Sequence, residues 1–489
     1  MAIATTRAPS ARVSETSRAP ALALALRAAQ PRLDPSQVDF AVATPGGTVI
    51  FPGLHASVRQ AVALLDDTTA TPDELTAYVL DRGGSMQLPY LYHCLDTLHR
   101  LAALTHVLRE GDREIARVVV MVPHKGPDLP PAPPVGPVVL SRFALIRRDE
   151  GGLVVESPLS YARITLHDPD ALTVVGRLSH GGTISEIAAD VTGLADETIG
   201  ALVALFHATG MSTALDGAGG SVEDDDIDLR QWSLPDLLFH ARSRAGRHDD
   251  ASGATYPLRE VVAALPAVKP AMSATAIPLY QPDVATLVKQ DTSFTDVIER
   301  RKSIRRYGPR LVTAREVGEF LYRAARVRRL REPSGGLLYP GSSRPYPGGG
   351  ACYELEIYPA VLACDGLDPG LYHYDPLHHQ LEVIAGGAEH VATFFSDQYR
   401  EDGPRQLLFV ITARFRRIRW KYEAMAYAAT LKNAGVLLHN FYLVATAMGL
   451  APCAVGAGNA DHFADIIGTA YHAESSVAEF MLGTVPEPA

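Results

Sequence analysis

Cysteine is scarce in this chain, with four in 489 residues. Cys94, Cys352, Cys364 and Cys453 lie far apart and without metal-ligand spacing, which argues for reduced thiols and against a disulfide framework or a metal site. Long apolar runs are missing too. Nowhere do about 18 consecutive apolar residues occur, so no membrane-spanning helix is available. The alanine-rich stretch 21–28 is too short for a secretory core with a cleavage site, so a cytoplasmic protein is expected. No strand runs into Gly-x-Gly-x-x-Gly, which leaves no dinucleotide-binding signature. Positive charge is in deficit, 45 Lys and Arg against 55 Asp and Glu, a net −10 that disfavours general attraction to nucleic acid or anionic lipid.

What is present fits a multidomain globular chain. The 489 residues suggest two to four domains on a prior of roughly 150 each, and 47% apolar with 20% charged residues permits a sizeable core. Residues 1–24, opening rich in Ala, Ser, Thr and Arg, are expected to form a mobile tail. Two segments, 25–124 and 138–218, then repeat one order of elements. In the first, strands 38–42 and 48–51 flank the turn Pro45-Gly46-Gly47, followed by helices 57–65, 71–80 and 88–104 and strand 115–122. In the second, strands 143–146 and 153–155 flank Glu150-Gly151-Gly152, followed by helices 168–177, one opening at Thr183 with a capping-box pattern, and 197–208. This is the order of a winged-helix unit, so two tandem winged-helix-like domains are expected. Their longer helices carry few basic residues, which favours peptide over DNA as a ligand; a purely bracing role is the alternative. Prolines at 127, 130, 131, 133, 134 and 137 make the link between them a stiff extended segment.

Residues 219–285 read as an acidic solvated hinge, with Glu223-Asp224-Asp225-Asp226, a helix 229–245 and a proline-punctuated segment that wraps the next domain. Residues 286–489 carry an α+β pattern: helices 294–302, 314–325 and 422–448, and strands 354–362, 370–374, 380–383, 406–412 and 480–483, forming a mixed sheet. Three segments of this domain carry chemistry. Arg301, Lys302, Ser303 and Arg305 set cations around a hydroxyl. Gly348, Gly349 and Gly350 offer backbone without side chains. Lys421-Tyr422 places an ammonium beside a phenol, a pair able to move protons. Alone, each has a plainer reading: a basic helix end, a loop, and a surface lysine beside a core tyrosine.

In order and spacing these segments resemble the nitroreductase-like flavoproteins, and within them the SagB-type dehydrogenases that oxidise azolines in ribosomally made peptides. The resemblance spans roughly residues 229–482. It rests also on Trp232 with Asp236 to Arg244 and on Gly370-Leu371-Tyr372-His373-Tyr374-Asp375-Pro376. The glycine turn departs from the usual Pro-Ser-Gly-Gly, because Gly348 stands where a hydroxyl residue is customary. Pro333-Ser334-Gly335-Gly336 matches better in letters but lacks the strand that should follow.

The resemblance implies a flavin mononucleotide, whose phosphate, ribityl chain and flat ring need cations, hydroxyl partners and close backbone approach. It assigns Arg301, Lys302, Ser303 and Arg305 to phosphate, ribityl and ring carbonyls, Gly348 to Gly350 to the ring, and the backbone of Val455, Gly456, Ala457 and Gly458 to its lower edge. It implies oxidation of thiazoline or oxazoline to azole, with hydride passing to the flavin and Tyr422 as base or proton relay. Lys421 would lower the Tyr422 pKa or stabilise negative charge, and the two roles are exchangeable. It further implies reoxidation by oxygen, a homodimer, an azoline-bearing precursor peptide and a cyclodehydratase partner. An NAD(P)H-dependent nitro- or flavin reductase and a non-catalytic leader-peptide scaffold are the competing readings. His240, Tyr372, His373 and Tyr374 are expected to be packing residues.

Overall fold

The structure is a computed structural model that describes residues 19–27, 36, 39–149, 151–395, 404–456 and 458–487. The chain divides into two compact units, Met1–Asp249 and Asp250–Ala489.

The first unit begins with β1 (Pro20–Leu26), the hairpin β2 (Asp39–Thr44) and β3 (Gly47–Pro52), and helices α1 (Ala56–Asp67), α2 (Pro72–Gly83) and α3 (Leu88–Arg100). Strands β4 (Leu104–Glu110), β5 (Arg113–Val120) and β6 (Val138–Leu140) follow, then the hairpin β7 (Leu145–Asp149) and β8 (Gly152–Glu156), and β9 (Ala162–Leu166). Helices α4 (Pro169–Leu178), α5 (Ile184–Ala189) and α6 (Asp196–Ala208), strand β10 (Ser212–Ala214) and short helices α7 (Val222–Asp225), α8 (Ile227–Arg230) and α9 (Leu234–Arg242) complete it. Both segments carry a hairpin, three helices and a strand, with β9 intervening between hairpin and helices only in the second, and Thr71 and Thr183 both form capping boxes.

Four expectations change here. One six-stranded sheet, β1-β4-β5-β9-β8-β7, takes strands from both repeats, because β5 pairs with β9 across the proline-rich link. Two apolar clusters form, one around Phe40, Val58 and Leu91 of the first repeat, the other around Val174, Leu202 and Phe206 of the second, which also takes Leu108, Ile115 and Val118 from the first. Part of the predicted tail is strand: Pro20-Ala-Leu-Ala-Leu-Ala-Leu26 alternates as a strand does and pairs with β4. The predicted acidic hinge is partly interior. Glu223 is buried, accepting from the Ser141 hydroxyl at 2.6 Å and the Arg142 amide at 3.2 Å. The helix expected over 229–245 is broken into α8 and α9, since Ser233 caps a new start with Pro235 in its first turn.

The second unit carries β11 (Ala276–Pro278), helices α10 (Val284–Gln290), α11 (Phe294–Arg300) and α12 (Ala314–Ala325), the ribbon β12 (Arg329–Arg331) and β13 (Gly341–Ser343), and strands β14 (Leu355–Val361), β15 (Gly370–Asp375) and β16 (Gln380–Gly386). Then come α13 (Ala388–Ala392), β17 (Leu407–Arg414), α14 (Phe415–Arg419), α15 (Ala426–Ala447), β18 (Leu450–Val455), α16 (Ala460–Ile467) and β19 (Glu474–Thr484). Seven strands form one sheet, β11-β16-β15-β14-β17-β19-β18, and every neighbouring pair is antiparallel. The mixed sheet read from the sequence is therefore wrong. The links between β14 and β15 and between β15 and β16 are too short for the crossovers that parallel pairing requires.

Helices cover this sheet on both faces. Along β17, Leu407, Phe409, Ile411 and Ala413 join the cluster under α12 and α15, whereas Leu408 and Val410 join the one under α13 and α16. Phe320 and Phe441 meet at 4.9 Å between ring centres and close on Phe409 and Phe480. Burial on both faces explains why β17 reads as a continuous apolar run instead of an alternating one.

Candidate active site

The segment that delivers Lys421-Tyr422 leaves β17 at Arg414 and turns through α14. Arg417 is 2% exposed and donates to three carbonyls from three parts of the chain: Cys352, Leu265 and Pro340, each at 2.6 Å. Burial, with Arg414 nearby, pulls its pKa down to about 10, so it stays charged at neutral pH. Trp420 donates through Nε1 to the Val262 carbonyl at 2.8 Å, Arg414 donates to the Pro266 carbonyl at 3.1 Å, and the Tyr256 amide donates to the Lys421 carbonyl at 3.2 Å. The proline-rich segment before β11 is thus a strap bound by its backbone carbonyls to the residues just ahead of the dyad. That is why a stretch without a core of its own is ordered.

Lys421 Nζ lies 3.0 Å from Tyr339 Oη and 3.3 Å from the Gly350 carbonyl. Tyr339 donates its own proton to that carbonyl at 2.6 Å. Tyr422 is half-buried, and a Cβ built on Gly350 would collide with its Oη while lying 2.8 Å from Lys421 Nζ. The structure therefore brings Lys421, Tyr422 and Gly350 together. Burial pushes the Tyr422 phenol up, and the Lys421 ammonium hydrogen-bonds Tyr339.

The glycine turn is backbone-strained and tied to α15. Gly350, Ala351 and Tyr353 all have positive φ, of 60°, 55° and 47°. The Gly349 amide donates to Asn433 Oδ1 at 2.8 Å, and Asn433 Nδ2 donates to Glu354 Oε1 at 2.8 Å. Burial raises the pKa of Glu354. A Cβ on Gly348 would stand 3.3 Å from the Tyr353 ring, which accounts for glycine where a hydroxyl residue is customary. The look-alike 333–336 sits instead at the turn between β12 and β13, bridged by Ser334 and Leu337.

The basic segment forms a second cluster. Helix α11 ends at Arg300, and the residues after it run extended, with the Ile304 amide donating to the Pro452 carbonyl at 2.8 Å. Ser303 Oγ is 2.7 Å from Tyr442 Oη, which accepts from the Ala454 amide at 2.8 Å, and the Arg301 guanidinium lies 5.4 Å from the Tyr442 ring centre. Lys302 and Arg305 are exposed, and among the described residues none of these three cations has a carboxylate within ion-pair distance. Val455 ends β18; Gly456 and Gly458 are exposed, and Ala457 lies outside the described residues. A cavity of about 600 Å³ opens beside Gly458, lined by Glu479, His462, Phe463 and Tyr471, and neither dyad residue lines it.

Asn433 serves the first cluster and Tyr442 the second, both from α15. At 100° per residue they point to opposite sides of the helix, about 13.5 Å apart along its axis.

Residues 298–484 match the nitroreductase family. The second unit carries a nitroreductase-family domain. Residues 138–249 match the cyanobactin oxidase ThcOx family, and that match ends at the residue where the first compact unit ends. Over 171 residues the chain is 28% identical to a protein of Methanocaldococcus jannaschii named as a nitroreductase, covering 34% of this chain and 80% of that one. Over 118 residues it is 32% identical to the microcin B17-processing protein McbC of Escherichia coli, covering 23% of this chain and 43% of McbC, less than half the relative's length. Among solved structures, the E. coli microcin synthetase McbBCD complex with truncated pro-MccB17 bound has a TM-score of 0.34 at 19% identity, over 53% of this chain and 97% of that chain. A nitroreductase-like protein of Ralstonia eutropha has a TM-score of 0.36 at 23% identity, over 47% and 98%. The resemblance read from the sequence thus has counterparts in both units.

Tyr339, Arg417 and Asn433 are site residues that sequence reasoning missed. Tyr339 stands 82 positions before Lys421 with no motif around it, and Arg417 reads as one of several basic residues ahead of the dyad.

Proposed function

We propose that the protein is an FMN-dependent azoline dehydrogenase, oxidising thiazoline or oxazoline rings in a ribosomally made peptide to azoles. The observation that carries this reading is the convergence of Lys421 Nζ and Tyr422 Oη on Gly350, in a domain of the nitroreductase family. The residues present suit the cofactor. Arg301, Lys302 and Arg305 are cations without carboxylate partners among the described residues, fit for a dianionic phosphate, with Ser303 among them. Gly348 to Gly350 keep bare backbone where added Cβ atoms would meet Tyr353, Asn433 and the dyad, and the backbone of Val455, Gly456 and Gly458 is proposed for the ring edge.

When bound, FMN supplies a two-electron acceptor. Tyr422 relays the proton lost from the azoline carbon. With its pKa raised it is a phenol at neutral pH, which suits it to hand a proton on rather than to stand as a phenolate. The Lys421 ammonium stabilises negative charge developing on the substrate. Oxygen is the proposed final acceptor and the cytoplasm the proposed compartment. The peptide would arrive with a cyclodehydratase, and the winged-helix-like repeats 25–124 and 138–218 are proposed to hold its leader. We also propose a homodimer, since two clusters on opposite sides of α15 suit a flavin shared between copies.

The decisive experiment incubates the purified yellow protein with an azoline peptide and follows mass for loss of two hydrogens per ring. A yellow protein that leaves azolines unchanged, yet is bleached by NADH, would replace this reading with a reductase.

A further inference from the structure

Lysine has three donors and no acceptor, so the 3.0 Å contact from Lys421 Nζ must end on a lone pair of Tyr339 Oη. The phenol's own proton then goes to the Gly350 carbonyl at 2.6 Å, and a second ammonium proton reaches the same carbonyl at 3.3 Å. Ammonium, phenol and carbonyl close a triangle. Among the described residues the third N–H of Lys421 has no hydrogen-bond acceptor, and Nζ stands 5.4 Å from the centre of the Tyr422 ring.

Tyr339 is well placed to hold that triangle still. It is 2% exposed and packs with Cys352, Ile418 and Trp420, with its ring centre 5.9 Å from that of Trp420. The guanidinium of Arg417 lies 5.6 Å from the ring centre and Lys421 Nζ 5.3 Å, so the ring is flanked by two cations that its face attracts. Arg417 also fixes the neighbouring Pro340 and Cys352 carbonyls. Burial raises the phenol's pKa, which keeps it protonated and able to donate to Gly350 while it accepts from Lys421.

We infer that Tyr339 is a positioning residue for the proposed reaction: its hydroxyl aims the Lys421 ammonium and ties it to the Gly350 carbonyl of the glycine turn. This rests on the azoline dehydrogenase reading. A four-carbon lysine stem without such an anchor samples many rotamers, and misplacement by about 1 Å can cost about 100-fold in rate.

The test uses the full-length, flavin-loaded protein and Tyr339→Phe, which keeps the ring and removes the hydroxyl. Wild-type turnover of an azoline peptide comes first, and its failure would sink the dehydrogenase reading on its own. With turnover established, Tyr339→Phe is expected to lower kcat about 10- to 100-fold, with KM within about twofold and flavin content unchanged. In a Lys421→Ala background the same change should have little further effect, because the hydroxyl acts through the ammonium. Acetylation of Lys421, followed by peptide mass spectrometry, supplies a readout independent of turnover, and Tyr339→Phe should speed it at least about threefold as the ammonium loses its acceptor. Wild-type kcat in Tyr339→Phe, full additivity with Lys421→Ala, or an unchanged acetylation rate would each overturn the inference. If Tyr339→Phe does not fold, 3-fluorotyrosine at position 339 keeps the ring and weakens the oxygen as an acceptor; kcat should still fall, and an unaltered kcat would count against the assignment.

Discussion

At the scale of single residues, the dyad and the glycine turn make separable demands. Lys421→Ala and Tyr422→Phe each remove a proton-handling or charge-stabilising group without touching the cationic cluster at Arg301 and Ser303, which lies towards the other end of α15. Each should lower kcat about 10²- to 10⁴-fold, the range for a lost general acid or base. Flavin absorbance per protein should stay at the wild-type level, so a colourless variant would contradict the separation of roles. Gly350→Ala makes the opposite prediction. Its φ of 60° is a left-handed conformation that costs an L-residue about 1–2 kcal/mol, and the new Cβ would collide with Tyr422 Oη. That variant should lose both thermal stability and turnover, as melting and azole formation measured side by side would reveal.

Between elements, buried charge decides how the second unit is held. His373 on β15 sits between Glu356 on β14, at 3.2 Å, and Glu382 on β16, at 2.9 Å, and Arg414 on β17 pairs with Glu356 at 2.7 Å. Four adjacent strands are joined. Burial disfavours the imidazolium, but hydrogen bonding and charge from Glu356, then Glu382, outweigh it, so the His373 pKa rises above 6.5. Glu356 is held down to about 2, burial opposing and Arg414 prevailing. For the histidine, the stabilisation is complete below about 6.5 and is lost as pH rises through its folded value; for the glutamate it is present above about 4.5 and lost as pH falls through about 2. Tm should therefore decline from pH 6 to 9, and His373→Gln should flatten that slope while lowering Tm at pH 6; parallel slopes in differential scanning calorimetry would refute the linkage. The strap gives a second case. Arg417→Met leaves three carbonyls without a donor, at about 1–3 kcal/mol for each one that water cannot reach. Proteolysis between residues 250 and 272 should then quicken before any change near β19.

How far this was legible in sequence depends on the range of the interaction. Helix 314–325 was read to the residue because its apolar stripe has helical period, and the structure adds a capping box of Thr313 and Glu316 at its start. Lys421, Tyr422 and Gly350 were found because they sit in short motifs. The long helix was read four residues early, since Arg419 to Met425 continue the composition of a helix while tertiary bonds from Trp420 and Lys421 to the strap break it. β18 went unseen because Pro452 and the flanking glycines obscure its pattern. Tyr339 and Arg417 were invisible for a different reason: Tyr339 meets Lys421 across 82 residues and the partners of Arg417 lie 65 to 152 residues away, and no local pattern encodes such a contact.

At the scale of the whole molecule, α15 carries a feature that the isolated unit does not explain. Its exposed arc presents Tyr427 and Leu431, about 40° apart and 38% and 37% accessible, and Lys432 is the helix's one Lys, Arg, Asp or Glu. A helix apolar nearly all round is normally covered. The two site clusters lie on opposite sides of this same helix, so packing it against a second copy would bury the apolar arc and offer each flavin a cationic cluster from one chain and a glycine turn from the other. Leu431→Glu places a charge on that arc without disturbing the packed side of the helix. In sedimentation velocity the wild type should run as a dimer and the variant as a monomer, with flavin content falling in step and the far-ultraviolet circular dichroism unchanged. A wild type that keeps its flavin as a monomer would mean that one chain completes the site, and the opposed clusters would then need another explanation.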